Sequence, residues 1–234
     1  ALLGWYPEDA VEFLPDGGLA KKFDIARCSK SPAMFDFFET DKSEAEFDPL
    51  SMERSELNKW INQKSKLNWL NQKYIRHYEL PTLYELSRPF LEKDSEVARL
   101  IQQDEELLIK ALGSIREYMT TLDDAGPYIL EIFRKNVEPE SDEAAAVLSA
   151  EGATDVVNAF KKELQSGNPE IPDDYAAMMK AAGKAAGAKG RGLFMPIRVA
   201  TTGKMHGLEL PILFSLLGKQ TLLERIEGVM SNVS

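Results

Sequence analysis

Six charged residues fall between positions 180 and 204, and all are basic: Lys180, Lys184, Lys189, Arg191, Arg198 and Lys204. Cations with no acid among them make a local positive field, the first thing a phosphate backbone meets. Arg198 adds a planar fork of donors that suits a base edge or a phosphate. Beyond it, Gly203 and Gly207 would let backbone approach a flat ring. Leu208 and Leu210, opening a helix, would offer an apolar surface and free N–H groups, with Thr202 and Lys204 completing the polar set. Single-stranded loops are read in this way, by splaying bases out, stacking them and hydrogen-bonding their edges. The plainer alternative for Arg198 is a surface ion pair. His206 reads as a neutral loop residue, and Met178 and Met179 read as core filling.

The rest of the chain sets limits on that chemistry. Its 234 residues carry a formal net charge of −10, with acids clustered at Glu39–Glu56 and Glu138–Glu143. Such a chain is no general nucleic-acid or DNA binder, because non-specific affinity comes mainly from neutralising phosphates. A single cysteine, Cys28, excludes an internal disulfide and fits a reducing, cytoplasmic setting. One cysteine and two histidines, His77 and His206, supply neither a zinc-ligand pattern nor an obvious catalytic thiol and base. No run of roughly 18 apolar residues marks a membrane span. The N-terminal segment is not a signal peptide, and its lack of a starting methionine points to processing or a cut.

The elements that must position these residues read as helices. Thr82 and Glu85 form a capping box, and Leu100 to Ile115 is apolar at helical spacing, as one amphipathic helix. Thr121 to Asp124 is a second box-like start, and Ser141 or Asp142 caps a further helix. Asp155 to Leu164 continues the pattern before the break at Ser166–Pro169. Pro172 suits a first helical turn, and Gly187 to Gly192 ends that helix. Leu210–Leu217 and Thr221–Val229 read as two short helices hinged at Gly218. No strand ladder stands out, so the expected fold is all-α, in two or three helical subdomains. Glu39–Lys64 reads as a polar, acid-rich excursion with one short helix.

Three segments resemble bacterial glutamyl-tRNA synthetases. They are Leu2–Trp5 with Phe23–Ile25 and Ser29–Asp36; Lys66–Arg76; and Phe194–Gly203 with Leu216–Lys219 and Arg225–Ile226. The resemblance implies the C-terminal half of such an enzyme: the helical end of a stem-contact region at 1–81, then two helical anticodon-binding subdomains at 82–144 and 145–234, which form a cage. It implies tRNA(Glu) as partner, with tRNA(Gln) an additional candidate beside it, and a monomer. It also implies that ATP and magnesium belong to an N-terminal catalytic domain outside this sequence, leaving no cofactor here. The HIGH motif and the KMSKS loop of that domain are absent. Ser29-Lys30-Ser31-Pro32 only mimics the latter, and Gly183, Gly187, Gly190 and Gly192 lack the strand-then-helix context of a phosphate cradle.

The resemblance also distributes roles. Lys66, Lys73 and Arg76 are placed to touch phosphates, with Trp69 and Leu70 as core, and Arg198 is placed to touch RNA. Tyr118 stands where the family has an arginine that reads the third anticodon base, and Arg116 lies two residues earlier. Tyr118 cannot form a bidentate fork, so discrimination between tRNA(Glu) and tRNA(Gln) is expected to be relaxed. Two further departures are Leu208, where many relatives have proline, and the insertion at about 39–64. A rival reading keeps the helices and drops the RNA: an interaction scaffold working through its acidic faces.

Overall fold

Local punctuation decides where the helices begin and end. In the computed structural model, which describes residues 5, 11, 13–15, 17–28 and 66–231 (the backbone alone for 66 and 67), the described residues form eleven α-helices. The only strand-like pairing among them is an isolated bridge between Trp5 and Cys28. The insertion at 39–64 lies outside the described residues. No described helix is long and apolar enough to cross a membrane.

Helices α1 (Gly18–Lys22), α2 (Lys66–His77) and α3 (Leu80–Leu91) belong to one compact unit, which takes in Ala1–Asp94 and Arg116–Gly126. α3 starts one residue before Pro81, with Glu79 flanking it, so Thr82 is not its cap. The reason is that proline fits the first turn, where its missing N–H has no partner to lose. Inside this unit Tyr74 of α2 meets the Phe13 ring edge-on at 4.9 Å and donates through its hydroxyl to the Leu14 carbonyl at 3.2 Å. α3 packs on a short 3-10 turn, Leu122–Asp124, whose Asp124 carboxylate accepts from the Thr120 and Thr121 N–H groups. Thr121–Asp124 is therefore the helix start its sequence suggested.

The second unit takes in Ser95–Ile115 and Pro127–Ser234. Its helices are α4 (Ser95–Gln103), α5 (Glu105–Ile115), most of α6 (Ala125–Phe133), α7 (Asp142–Ser149), α8 (Ala153–Ser166), α9 (Pro172–Ala185), α10 (Arg191–Thr202) and α11 (Leu210–Ser231). The single helix expected over 100–115 is thus two. Asp104 interrupts it, because its side chain accepts from the Leu107 N–H at 2.9 Å and caps α5. Ser141 caps α7 through the Ala144 N–H, and Pro172 occupies the first turn of α9. Gly218, at φ 74° and ψ 162°, bends α11 where the hinge was expected.

The core of the second unit is aromatic at its centre. Phe160 of α8 stacks on Phe214 of α11 at 5.4 Å, and Tyr175 of α9 meets the same ring edge-on. Gly183 lets α9 and α10 approach closely, since a Cβ there would lie 2.7 Å from the Leu193 side chain and 2.9 Å from the Ala188 carbonyl. Met179 is buried as expected.

Candidate nucleic-acid interface

The polar residues near the end of α10 largely hold one another. α10 carries its buried stripe on Leu193, Ile197, Ala200 and Thr201, which leaves Arg198 half-buried. One Arg198 Nη donates to the Leu208 carbonyl at 3.0 Å, tying the helix across the loop that follows. Gly207 turns that loop at φ 138°, and a Cβ there would come within 3.6 Å of the other Nη. Arg198 is a crossbar under a loop, with one Nη engaged by the Leu208 carbonyl.

Lys204 is engaged too. Its ammonium lies 3.0 Å from Glu131 and 3.9 Å from Glu140, so the RNA contact expected of it would compete with two carboxylates. The Thr202 hydroxyl donates to the Arg198 carbonyl and accepts from the Lys204 N–H, so it finishes α10. Gly203 has φ 72°, and a Cβ there would overlap the Glu138 carbonyl. The close approach that Gly203 permits is to the chain's own backbone, not to a base. Leu210 is buried at the start of α11, leaving Leu208, which is half-buried, as the apolar residue nearer to solvent.

Beneath this loop sits Arg225, only 4% exposed. Its guanidinium donates to the carbonyls of Ile132 at 2.6 Å, Arg134 at 2.8 Å and Thr201 at 3.1 Å. Those carbonyls end α6 and α10, where helices leave acceptors unpaired and carry partial negative charge. Burial, then the nearby Arg134 charge, pushes the Arg225 guanidinium down to about 10. Arg134 in turn donates to the Thr202 carbonyl at 3.1 Å.

Next to the loop, α9, α10 and the start of α11 line a groove of about 700 Å³. Met179, Gly183, Leu193, Phe194, Leu210 and Pro211 supply its apolar surface, and Lys180, Lys184, Lys189 and Arg198 its cations, with Glu209 the one acid. Phe194 is 46% exposed, an aromatic face beside cations. That combination can stack a flat ring and neutralise a phosphate. The basic run was visible in the sequence; Phe194 was not singled out, though an aromatic one turn before Arg198 was the available signal.

In the first unit the candidates gather around the turn at 116–118. Arg76 of α2 donates to the Glu117 carbonyl at 2.7 Å and lies 3.0 Å from its carboxylate, so it secures the turn and a phosphate would share its guanidinium with Glu117. Asn71 adds a bond to the Thr120 carbonyl. α5 ends at Ile115, so Arg116 and Tyr118 occupy a turn, not a helix, with Arg116 half-buried and Tyr118 47% exposed. Trp69 is 43% exposed, not core, because it lies on the open side of α2, and Lys73 sits over its ring at 5.6 Å. The Lys66 side chain lies outside the described residues.

A nucleotide cradle does not form from the glycines of 183–192. Gly183 is packed inside α9 and no strand precedes them among the described residues, so no ATP step is assigned to these side chains. The described residues hold no cluster of three or more potential metal ligands.

Comparison with known proteins agrees with this geometry. Residues 82–230 match the family model described as an anticodon binding domain. The chain is 43% identical over 232 residues to the glutamate–tRNA ligase of Leptospira biflexa, covering 97% of this chain and 44% of that protein. It is 36% identical to that of Geobacillus stearothermophilus, over 98% of this chain and 42% of the relative. It thus spans less than half the length of these relatives. A crystal structure of a glutamate tRNA ligase from Elizabethkingia meningosepticum, in complex with its amino acid, shares the fold with a TM-score of 0.74 at 18% identity, over 100% of this chain and 40% of that one. The chain belongs to the anticodon-binding-domain family and matches the C-terminal half of glutamate–tRNA ligases.

Proposed function

We propose that this chain reads the anticodon arm of tRNA(Glu) for a glutamate–tRNA ligase whose ATP- and magnesium-dependent chemistry belongs to a catalytic domain outside these 234 residues. The observation that carries the reading is the groove beside the 203–209 loop, where Phe194 and Leu193 lie among four cations inside the matched anticodon-binding region. Within it, Phe194 and Leu208 meet base faces, the Arg198 guanidinium meets a base edge, and Lys180, Lys184 and Lys189 face phosphates. Thr202, Lys204, Gly207 and Leu210 serve by shaping the loop. In the other unit, Tyr118 and Arg116 form a separate contact for a further anticodon base, and Lys73 with Trp69 offers a stacking and phosphate site. The working division remains 1–81 for the end of the stem-contact region, then 82–144 and 145–234 for the anticodon-binding subdomains, in a cytoplasmic monomer.

Binding of the tRNA(Glu) anticodon stem–loop, titrated against salt, tests the reading. Affinity is expected to fall steeply as salt rises, with a slope near −0.7 per phosphate contact on single strands. It is also expected to depend on the anticodon bases. Binding that ignores both would overturn the proposal and leave the interaction scaffold as the better account.

A further inference from the structure

Glu140 belongs to the acid cluster that opposes a polyanion on charge grounds alone, yet it grips the loop beside the groove. Its Oε1 accepts from the Met205 N–H at 2.8 Å, and its Oε2 lies 3.9 Å from the Lys204 ammonium. Its own N–H donates to the Gly203 carbonyl at 2.8 Å. One residue thus holds three consecutive members of the loop, two by backbone hydrogen bonds. Behind it, Glu138 fills the space that a side chain at 203 would need.

We propose that Glu140 is a positioning residue for RNA recognition, holding the 203–205 backbone so that the Arg198–Leu208 crossbar and the groove beside it keep one geometry. The proposal rests on the anticodon-reading function given above. The decisive contact is the backbone N–H bond to a charged acceptor. The longer pair with Lys204, on a side chain 37% exposed, is worth little. A loop held before binding loses less freedom when RNA arrives, and affinity rises by that amount. Charge alone makes the opposite forecast, since removing a carboxylate beside a polyanion site should strengthen binding.

The test uses the 234-residue chain and its Glu140→Ala, Glu140→Gln and Arg198→Ala variants, each titrated with a labelled tRNA(Glu) anticodon stem–loop and with a base-substituted copy. Glu140→Ala should weaken binding about five- to tenfold, the size of one good hydrogen bond. The salt slope should not change, and the preference for the correct anticodon should shrink. Glu140→Gln keeps an acceptor oxygen and should bind within about twofold of the parent. Equal or tighter binding by Glu140→Ala, while the parent binds and Arg198→Ala is weak, overturns the positioning role and leaves the RNA reading intact. Loss of the fold in Glu140→Ala would make Glu140 a stability residue and also overturn it. If the parent shows no anticodon-dependent binding, the functional reading falls, and the positioning role with it.

Discussion

The two patches proposed to meet RNA are built in opposite ways. At the end of α10, the side chains that look like ligands are mostly tied down: Lys204 to Glu131 and Glu140, Thr202 to Arg198, and Arg198 to Leu208. At the 116–118 turn, the supports come from outside the turn, through Arg76 and Asn71, and Tyr118 is left 47% exposed. A basic residue near a binding surface can act by touching the ligand or by fixing the group that does. The difference shows only in what its polar head already holds.

The largest effect should come from the support beneath the first patch. Arg225→Met leaves three helix-end carbonyls without their donor, and stability should drop by about 3 kcal/mol in urea unfolding, from the summed loss of charged hydrogen bonds. A loss below about 1 kcal/mol would mean that water replaces the guanidinium freely.

Next come the two basic residues that look alike in sequence. Arg198→Ala should weaken anticodon stem–loop binding by about 1–3 kcal/mol. Lys204→Ala should change it by no more than about 1 kcal/mol, since its charge is already met by Glu131 and Glu140. Equal losses from the two would erase the distinction between contact and support.

The second patch is sharpened by a gain. Tyr118→Arg in the full-length ligase should raise the preference for tRNA(Glu) over tRNA(Gln) about tenfold, because a donor fork separates cytosine from guanine better than one hydroxyl does. Parallel charging assays on the two tRNAs measure it. A parent preference already above about a hundredfold would show that Tyr118 is not the discriminating position.

The smallest effect lies away from both patches. Asp174 accepts from the Glu170 and Ile171 N–H groups at the start of α9, and these bonds hold its carboxyl below its ordinary 3.8. A depressed folded-state value adds stability above the unfolded value, and this is lost as pH falls through the folded one. Asp174→Asn should therefore lower stability slightly at neutral pH, converge with the parent at low pH where Asp174 is already protonated, and so flatten the acid limb between the two. An unchanged acid limb would mean that the cap carries no such linkage.

Features set by a few adjacent residues were legible in the sequence: the Ser141 cap, the Thr121–Asp124 box, Pro172 in its first turn and the bend at Gly218. The break at Asp104 was legible in principle, as an Asp followed by two glutamates, but the apolar period running through it hid the cap. The site was half legible. Residue types and local charge marked 180–210, where the basic and apolar groove lies. The partners that decide each role lie far off in the chain, Glu140 from Met205 by 65 positions and Arg225 from Ile132 by 93. No local pattern reports a hydrogen bond over that distance.

The bend at Gly218 bears on the order in which this chain is made. A straight helix of 22 residues would be a rod about 33 Å long. Bent instead, α11 packs on α5, α8, α9 and α10. Lys219, just past the bend, donates to the Gly167 carbonyl at 2.7 Å at the end of α8, and Arg225 follows half a dozen residues later. Everything that steadies the loop after α10 is therefore translated before its fastener. Until residue 225 emerges from the ribosome, the Ile132, Arg134 and Thr201 carbonyls wait unclaimed, so a chain cut just before Arg225 would leave the second unit unlatched.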